Sequence, residues 1–232
     1  MYLFLGVGHH ANLKRECRTA EIQTYSVSKN GRSCQLLYRT GCEQIPSAFS
    51  EVRGRLVTGV GNILRVYEIG QKKLLKKYEN KSLKSPILQI QCNANRIFVG
   101  DVAESVHVFK FKPEQGQLYV FADDLLNRFL TSFCILDDDT VAGVDKFENF
   151  FVNRLPAGCE EDAEDDPSTT KHQWENGFLN GAKFKYNKVC QFYLGEMGTS
   201  LKKAQISQSS QEMMIFGTTM GSICCMIPIE TR

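Results

Sequence analysis

At 232 residues, with 42% hydrophobic and 23% charged side chains, the chain has enough apolar material for a sizeable core and lacks the bias of a disordered or collagenous protein. Its formal net charge of +2 is uneven: residues 51–90 carry nine Lys or Arg against three Glu, and residues 160–166 carry six acids, so total charge selects no partner. Nine cysteines, an odd number without a C-x-x-C pair, exclude a disulfide framework and a zinc site built on such pairs, and read as small apolar residues in a reducing compartment.

In chain order, the first element is LFLGVG at Leu3 to Gly8. It lacks the basic leader of a signal peptide, and no apolar run approaches the roughly 20 residues that cross a bilayer. A cytosolic or nuclear chain is therefore expected. The Gly6-x-Gly8-x-x-Ala11 spacing after YLFL matches a loose dinucleotide fingerprint, which needs a helix next. The next residues are NLKRECRT and then strand-like EIQTYSV, so a turn between strands is the better reading.

The pattern of LFLGVG, two or three apolar residues and a glycine, returns four times, followed by a polar turn and an alternating strand. The copies are RLVTGVGNILRVYEI from Arg55, RIFVGDVAESVHVFKF from Arg96, TVAGVDKFENFFVNRL from Thr140 and MIFGTTMGSICCMIPI from Met214. The anchor glycines Gly6, Gly59, Gly100, Gly143 and Gly217 are 53, 41, 43 and 74 residues apart. A four-stranded propeller blade takes about 40 to 50 residues. The long last interval is accounted for by an acidic insertion between blades at 157–183, EEDAEDDP included. β-Branched and aromatic residues such as Val66, Tyr67, Val106, Val108 and Phe109 supply strand chemistry; Gly61-Asn62, Gly70-Gln71 and Pro113 to Gly116 supply the turns. The expectation is an all-β, partial β-propeller of about four to five WD-like, four-stranded antiparallel blades spanning 1–232.

Candidate chemistry is sparse. Asp137, Asp138 and Asp139 are adjacent carboxylates that fan out of a turn and do not converge, and His9, His10, His107 and His172 stand at no ligand spacing to another His or to a Cys. No G-x-S-x-G elbow is present. No catalytic group, cofactor or metal is expected. The run Lys72, Lys73, Lys76 and Lys77 in KKLLKK offers RNA-backbone contact as one reading and a solvated outer strand as the other; the absence of interleaved aromatics favours the strand.

Longer strings carry a resemblance. GVGNILRVYEIGQKKLLKKYENK from Gly59, FADD at Phe121 to Asp124, DDDTVAGVDKF from Asp137, NRLP at Asn153 to Pro156 and WENGFLNGA at Trp174 to Ala182 resemble the C-terminal propeller of the splicing factor 3b subunit 3 family. The large subunits of the damaged-DNA-binding complex and of the cleavage and polyadenylation specificity factor are similar but fit less well. The resemblance implies a nuclear, non-enzymatic scaffold of the branch-site-recognising small nuclear ribonucleoprotein. Its partners would be a helical-repeat subunit and small companion subunits, with indirect RNA contact, no membrane and no small-molecule substrate. By analogy the partner contacts fall on Asp123, Asp124, Arg128, Asp145, Lys146, Phe147, Gly195 and Glu196. The chain departs from the family where Glu148 replaces a turn glycine and where LLNRFL follows FADD. The alternative function is a nucleic-acid-binding propeller module of the two related types.

Overall fold

A computed structural model describes residues 1–12, 16–159, 182–206 and 211–228. The fold is all-β, that of a partial β-propeller, and its strands form five sheets in chain order. The first sheet holds β1 (Tyr2–His9), β2 (Thr19–Val27) and β3 (Cys34–Cys42), in that order. The second holds β4 (Pro46–Val52), β5 (Arg55–Val60), β6 (Ile63–Ile69) and β7 (Leu74–Asn80). The third is built from β8 (Ile87–Asn93), β9 (Arg96–Asp101), β10 (Val106–Lys112) and β11 (Gln117–Asp123), with a 3₁₀ turn at Pro113–Gln115 joining the last two. The fourth starts with β12 (Leu130–Ile135), β13 (Thr140–Asp145) and β14 (Asn149–Arg154). The chain then returns at β15 (Phe184–Lys185), which adds to β11, and at β16 (Asn187–Tyr193), which completes the fourth sheet beside β14. β17 (Gly198–Ala204), β18 (Met213–Thr218) and β19 (Ile223–Met226) make the fifth.

Each anchor glycine lies in a different sheet: Gly6 in β1, Gly59 in β5, Gly100 in β9, Gly143 in β13 and Gly217 in β18. Close approach explains the residue type at two of them. A Cβ on Gly59 would lie 2.6 Å from Ile87 Cγ2, and one on Gly100 would lie 2.9 Å from the Phe133 ring. The strands that carry these glycines are buried on both faces, so RLVTGV and RIFVGD read as continuous apolar runs, whereas β16 is exposed throughout and β7 has a single buried residue, Leu74. Gly6 and Gly8 sit inside β1, paired antiparallel with Ile22 and Ala20, so they do not form the strand-to-helix turn of a dinucleotide site.

Two features differ from the reading of the sequence. The insertion is expected between blades; it leaves β14 of the fourth sheet, is followed by β15, which adds to the third, and then by β16, which pairs with β14. Anchor spacing measures only the distance between glycines of successive sheets and cannot locate extra residues within that interval. Most of the insertion, residues 160–181, lies outside the described residues. The second difference is β15, whose Phe184 and Lys185 pair parallel with Ala122 and Asp123, a contact that a hairpin-only pattern does not contain.

The chain divides into two compact units, Met1–Ile97 with Phe111–Leu118, and Phe98–Lys110 with Tyr119–Arg232. In the first, Ile22, Leu56, Tyr67 and Leu74 form a buried cluster. Arg65, nearly buried, donates from Nε to Glu79 at 2.8 Å and from Nη1 to Glu43 at 2.5 Å. Among the described residues, the second unit holds two buried clusters. One gathers Phe98, Val108, Phe121, Phe133 and Phe151; the other gathers Val144, Phe150, Leu201 and Phe216.

Candidate functional site

In the second unit three connections meet. The loop from β11 to β12 covers Asp124 to Phe129, the turn from β13 to β14 covers Lys146 to Glu148, and Leu194 to Met197 join β16 to β17. The Lys146 amide donates to the Phe129 carbonyl at 2.9 Å, and the Leu194 amide donates to the Glu148 carbonyl at 2.8 Å. Two backbone hydrogen bonds thus tie the three segments side by side. Tyr193 Oη adds a 2.6 Å bond to Glu148 Oε2.

Beneath this surface lies a polar network. Asp124 is buried, and its Oδ2 accepts from Ser105 Oγ (2.9 Å), Arg128 Nε (2.6 Å) and Asn153 Nδ2 (2.7 Å), while its Oδ1 accepts the Leu126 amide (3.1 Å). Arg128 is 3% exposed and stacks its guanidinium 4.0 Å from the Phe151 ring centre. A buried carboxylate is tolerable when it is paired and its lone pairs are filled, and four donors meet that condition. The network also sets the course of the loop, because the Arg128 amide donates to the Glu104 carbonyl at 2.5 Å.

The neighbouring Asp123 is fully buried and accepts Lys185 Nζ at 2.5 Å. Burial pushes its carboxyl up to about 6, against the pull of the Lys185 ammonium. Asp145, also buried, caps the turn from β13 to β14. Its Oδ1 accepts the amides of Phe147 (2.8 Å) and Asn149 (3.0 Å), and Asn149 Nδ2 reaches Oδ2 at 3.0 Å. Gly195 adopts φ +79°, and Glu196 bonds Thr218 Oγ1 (2.5 Å) and Ser222 Oγ (3.1 Å), which hold its carboxyl below the usual range.

The residues singled out in the sequence therefore fall into two groups. Asp123, Asp124, Arg128 and Asp145 point inward and shape the loops; Lys146 and Phe147 are exposed on them, and Gly195 and Glu196 lie in the third segment. The outward face is apolar. Leu125, Leu126, Phe129 and Phe147 are exposed, Phe147 by 57%, and the Phe129 and Phe147 rings meet edge to face at 5.5 Å. The sequence marks Leu126 and Phe129 only as part of LLNRFL, the segment that departs from the family after FADD. The available signal was two leucines and an aromatic in a connection between strands, where apolar side chains have no sheet to cover.

The basic run belongs to the first unit and is partly neutralised. Lys76 pairs with Glu79 at 2.9 Å and Lys77 with Glu68 at 3.2 Å; Lys72 and Lys73 have no ion pair among the described residues. Hydrogen bonding by Lys76, then by Lys81 and Arg65, holds Glu79 down to about 2. All nine cysteines are free thiols, and no described helix is long and apolar enough to cross a membrane.

Comparison with known proteins decides the family. The CPSF A subunit region matches residues 1–232, the whole chain. The chain belongs to the CPSF A subunit family. Within it, the similarity is to splicing factor 3b subunit 3 proteins. The chain is 43% identical over 211 residues to spliceosome-associated protein 130 A of Arabidopsis thaliana, covering 91% of this chain and 17% of that protein. It is 41% identical over 215 residues to the probable splicing factor 3B subunit 3 of Dictyostelium discoideum, covering 93% and 17%. With splicing factor 3B subunit 3 of Danio rerio it shares 36% identity over 232 residues, covering 100% and 19%. This member of the CPSF A subunit family thus spans less than a fifth of the length of these relatives.

Proposed function

We propose that this chain acts in pre-mRNA splicing as a non-enzymatic scaffold in the nucleus, and that it docks protein through the loop surface carrying Phe129 and Phe147. Exposed aromatic and leucine side chains on loops held from below by the hydrogen bonds to Asp124 support the reading, because rigid apolar anchors bind at little cost in lost conformational freedom. The names of the relatives, spliceosome-associated protein 130 and splicing factor 3B subunit 3, support the pathway. The partner proposed is the helical-repeat subunit of splicing factor 3b, with small companion subunits beside it. An apolar stripe on a helix is complementary to a pair of aromatic rings flanked by leucines. The acidic residues beneath the loops serve this surface by positioning, and the bound chemistry is protein side chains.

The test is capture of the helical-repeat subunit by the purified, folded chain. Wild type should retain the partner, and Leu126→Asp/Phe147→Asp should lose it while keeping the wild-type circular dichroism spectrum. Equal capture by both forms would overturn the assignment of this surface, and no capture by either would overturn the docking reading.

A further inference from the structure

The anchor glycines put the five sheets in register with one another. Gly59, Gly100, Gly143 and Gly217 lie on strands paired on both sides: β5 between β4 and β6, β9 between β8 and β10, β13 between β12 and β14, and β18 between β17 and β19. Gly6 lies on β1, which among the described residues pairs with β2 alone. A Cβ on Gly6 would strike the Pro46 carbonyl on β4, as one on Gly59 would strike Ile87 on β8, so β1 stands to the second sheet as β5 stands to the third. The edge of β1 turned away from β2, eight residues from Tyr2 to His9, is therefore the position that β4, β8, β12 and β17 hold in the other sheets.

Exposed strand edges are ordinarily blunted by charge, proline or a bulge. β7, an edge of the second sheet, carries Lys76 and Lys77, and β3, the other edge of the first, carries Arg39 and a bulge at Leu37. YLFLGVGH has no lysine, arginine, acid or proline, and it pairs with β2 without a register shift. Its Leu3 and Leu5 are exposed, and Phe4, Phe49 and Leu56 line a groove of about 500 Å³ beside it. Such an edge has the chemistry of a strand that is covered.

Three of the four strands at the equivalent position agree on what fits there. β4, β12 and β17 each bulge against the anchor strand, and the extra residue is Ser47, Thr131 or Thr199. Its hydroxyl faces a carbonyl of the anchor strand: Ser47 Oγ lies 3.4 Å from that of Gly59, Thr131 Oγ1 3.0 Å from that of Val144, and Thr199 Oγ1 3.2 Å from that of Gly217. The first two also lie within 2.6 Å of a carbonyl on the next sheet, at Ile87 and Gly198. A small residue and a bulky apolar one follow, as Ala48-Phe49, Ser132-Phe133 and Ser200-Leu201. Ser or Thr, then Ala or Ser, then Phe or Leu is a triplet the chain contains at these three places alone, and all three are already paired in their own sheets. Neither this chain nor a second copy can supply a fourth without giving one up.

We infer that the edge of β1 docks an extended strand of a partner polypeptide, antiparallel to β1, that carries this triplet with its Ser or Thr opposite the Gly6–Val7 step. Main-chain hydrogen bonds along β1 supply affinity; the hydroxyl and the bulky residue select the sequence. Strand addition at β1 is independent of whether the loops carrying Phe129 and Phe147 dock a partner.

A fluorescein-labelled peptide copying residues 196–204, EMGTSLKKA, is the probe, because it carries the triplet together with two lysines that keep it in solution. Added to the folded 232-residue chain, it should give saturable one-to-one binding by fluorescence anisotropy and slow amide exchange across residues 2–9 while leaving β3 unchanged. The same peptide with Thr199→Val keeps the shape and the strand preference and loses the hydroxyl; it should bind at least about fivefold more weakly, the worth of one hydrogen bond. Leu3→Lys/Leu5→Lys places charge on the edge at two exposed positions and should abolish the protection of residues 2–9 while keeping the wild-type circular dichroism spectrum. Absence of binding, equal affinity of the two peptides, or protection that falls on β3 instead of β1 overturns the site. Protection of residues 2–9 that appears without peptide as the chain dimerises also overturns it, since that gives the edge to a second copy.

Discussion

Replacing Asp124 with Ala removes the one acceptor shared by Ser105, Arg128, Asn153 and the Leu126 amide, and leaves the Arg128 guanidinium buried against Phe151 without its counter-charge. Breaking a buried ion pair from one side costs about 3–5 kcal/mol, since the surviving charge remains desolvated. For a chain of this size that corresponds to a fall in melting temperature of about 10 °C, at roughly 2–4 °C per kcal/mol. Removing the charge instead, as Arg128→Met, leaves Asp124 with three donors and should cost less, about 2 kcal/mol. The double variant decides the cycle. It has neither charge, so it should be more stable than Asp124→Ala alone, which needs a coupling larger than the cost of Arg128→Met, about 3 kcal/mol between the two sites. Thermal melts followed by circular dichroism give the four corners. If the two single effects add to within about 0.5 kcal/mol, the ion pair carries no coupling and the account of the network is wrong.

Asp123→Asn should flatten the acid limb of stability. In the folded chain this carboxyl titrates near 6, above the value of about 3.9 expected when unfolded, so the folded state binds the extra proton and stability falls as pH rises through that window. The penalty approaches about 3 kcal/mol above pH 6, and melts of the two proteins from pH 4 to 8 should diverge in favour of the variant as pH increases. Glu148→Gly should stabilise: Glu148 sits at φ +67°, a conformation that costs a non-glycine residue on the order of 1 kcal/mol, and the exposed bond from Tyr193 is worth less than that. A lower urea midpoint for the glycine variant contradicts this. Gly100→Ala should destabilise by about 2 kcal/mol or more, because its methyl would press into Leu130 and Phe133; an unchanged midpoint would show that the pocket yields. For single-stranded RNA, two unpaired lysines support a salt slope no steeper than about −1.4, at 0.7 per phosphate, and a measured slope near −4 would revive the basic run as a nucleic-acid surface.

Much of the architecture was readable because the repeat is a packing rule written in residue types. Gly59 and Gly100 recur where a neighbour presses against the backbone, and the apolar runs around them follow from burial on both faces. Glu148 was visible as an oddity in the sequence, and its positive φ gives the reason glycine is usual at that turn. The loops that carry the candidate residues were marked in the sequence by FADD and DKF, but the burial of their acids was not. Asp124 and Asp145 look like surface turn acids in a string of letters, but whether an aspartate faces water or caps its own turn depends on donors as distant as Asn153. β15 was invisible for a different reason: two residues are too few to show a period.

The neighbourhood of β14 and β16 has a kinetic meaning. Arg154 pairs with Asn187 across a connection of 32 residues, whereas β13 and β14 are joined by a short turn. Pairing between positions so far apart in sequence forms more slowly than pairing across a three-residue turn. β15 precedes β16 by one residue and is anchored at Asp123 through Lys185 and the Tyr186 amide, so a single closure event serves both strands. The two should therefore assemble late and detach together, and amide exchange along β16 should report that shared opening well below the protection of β13.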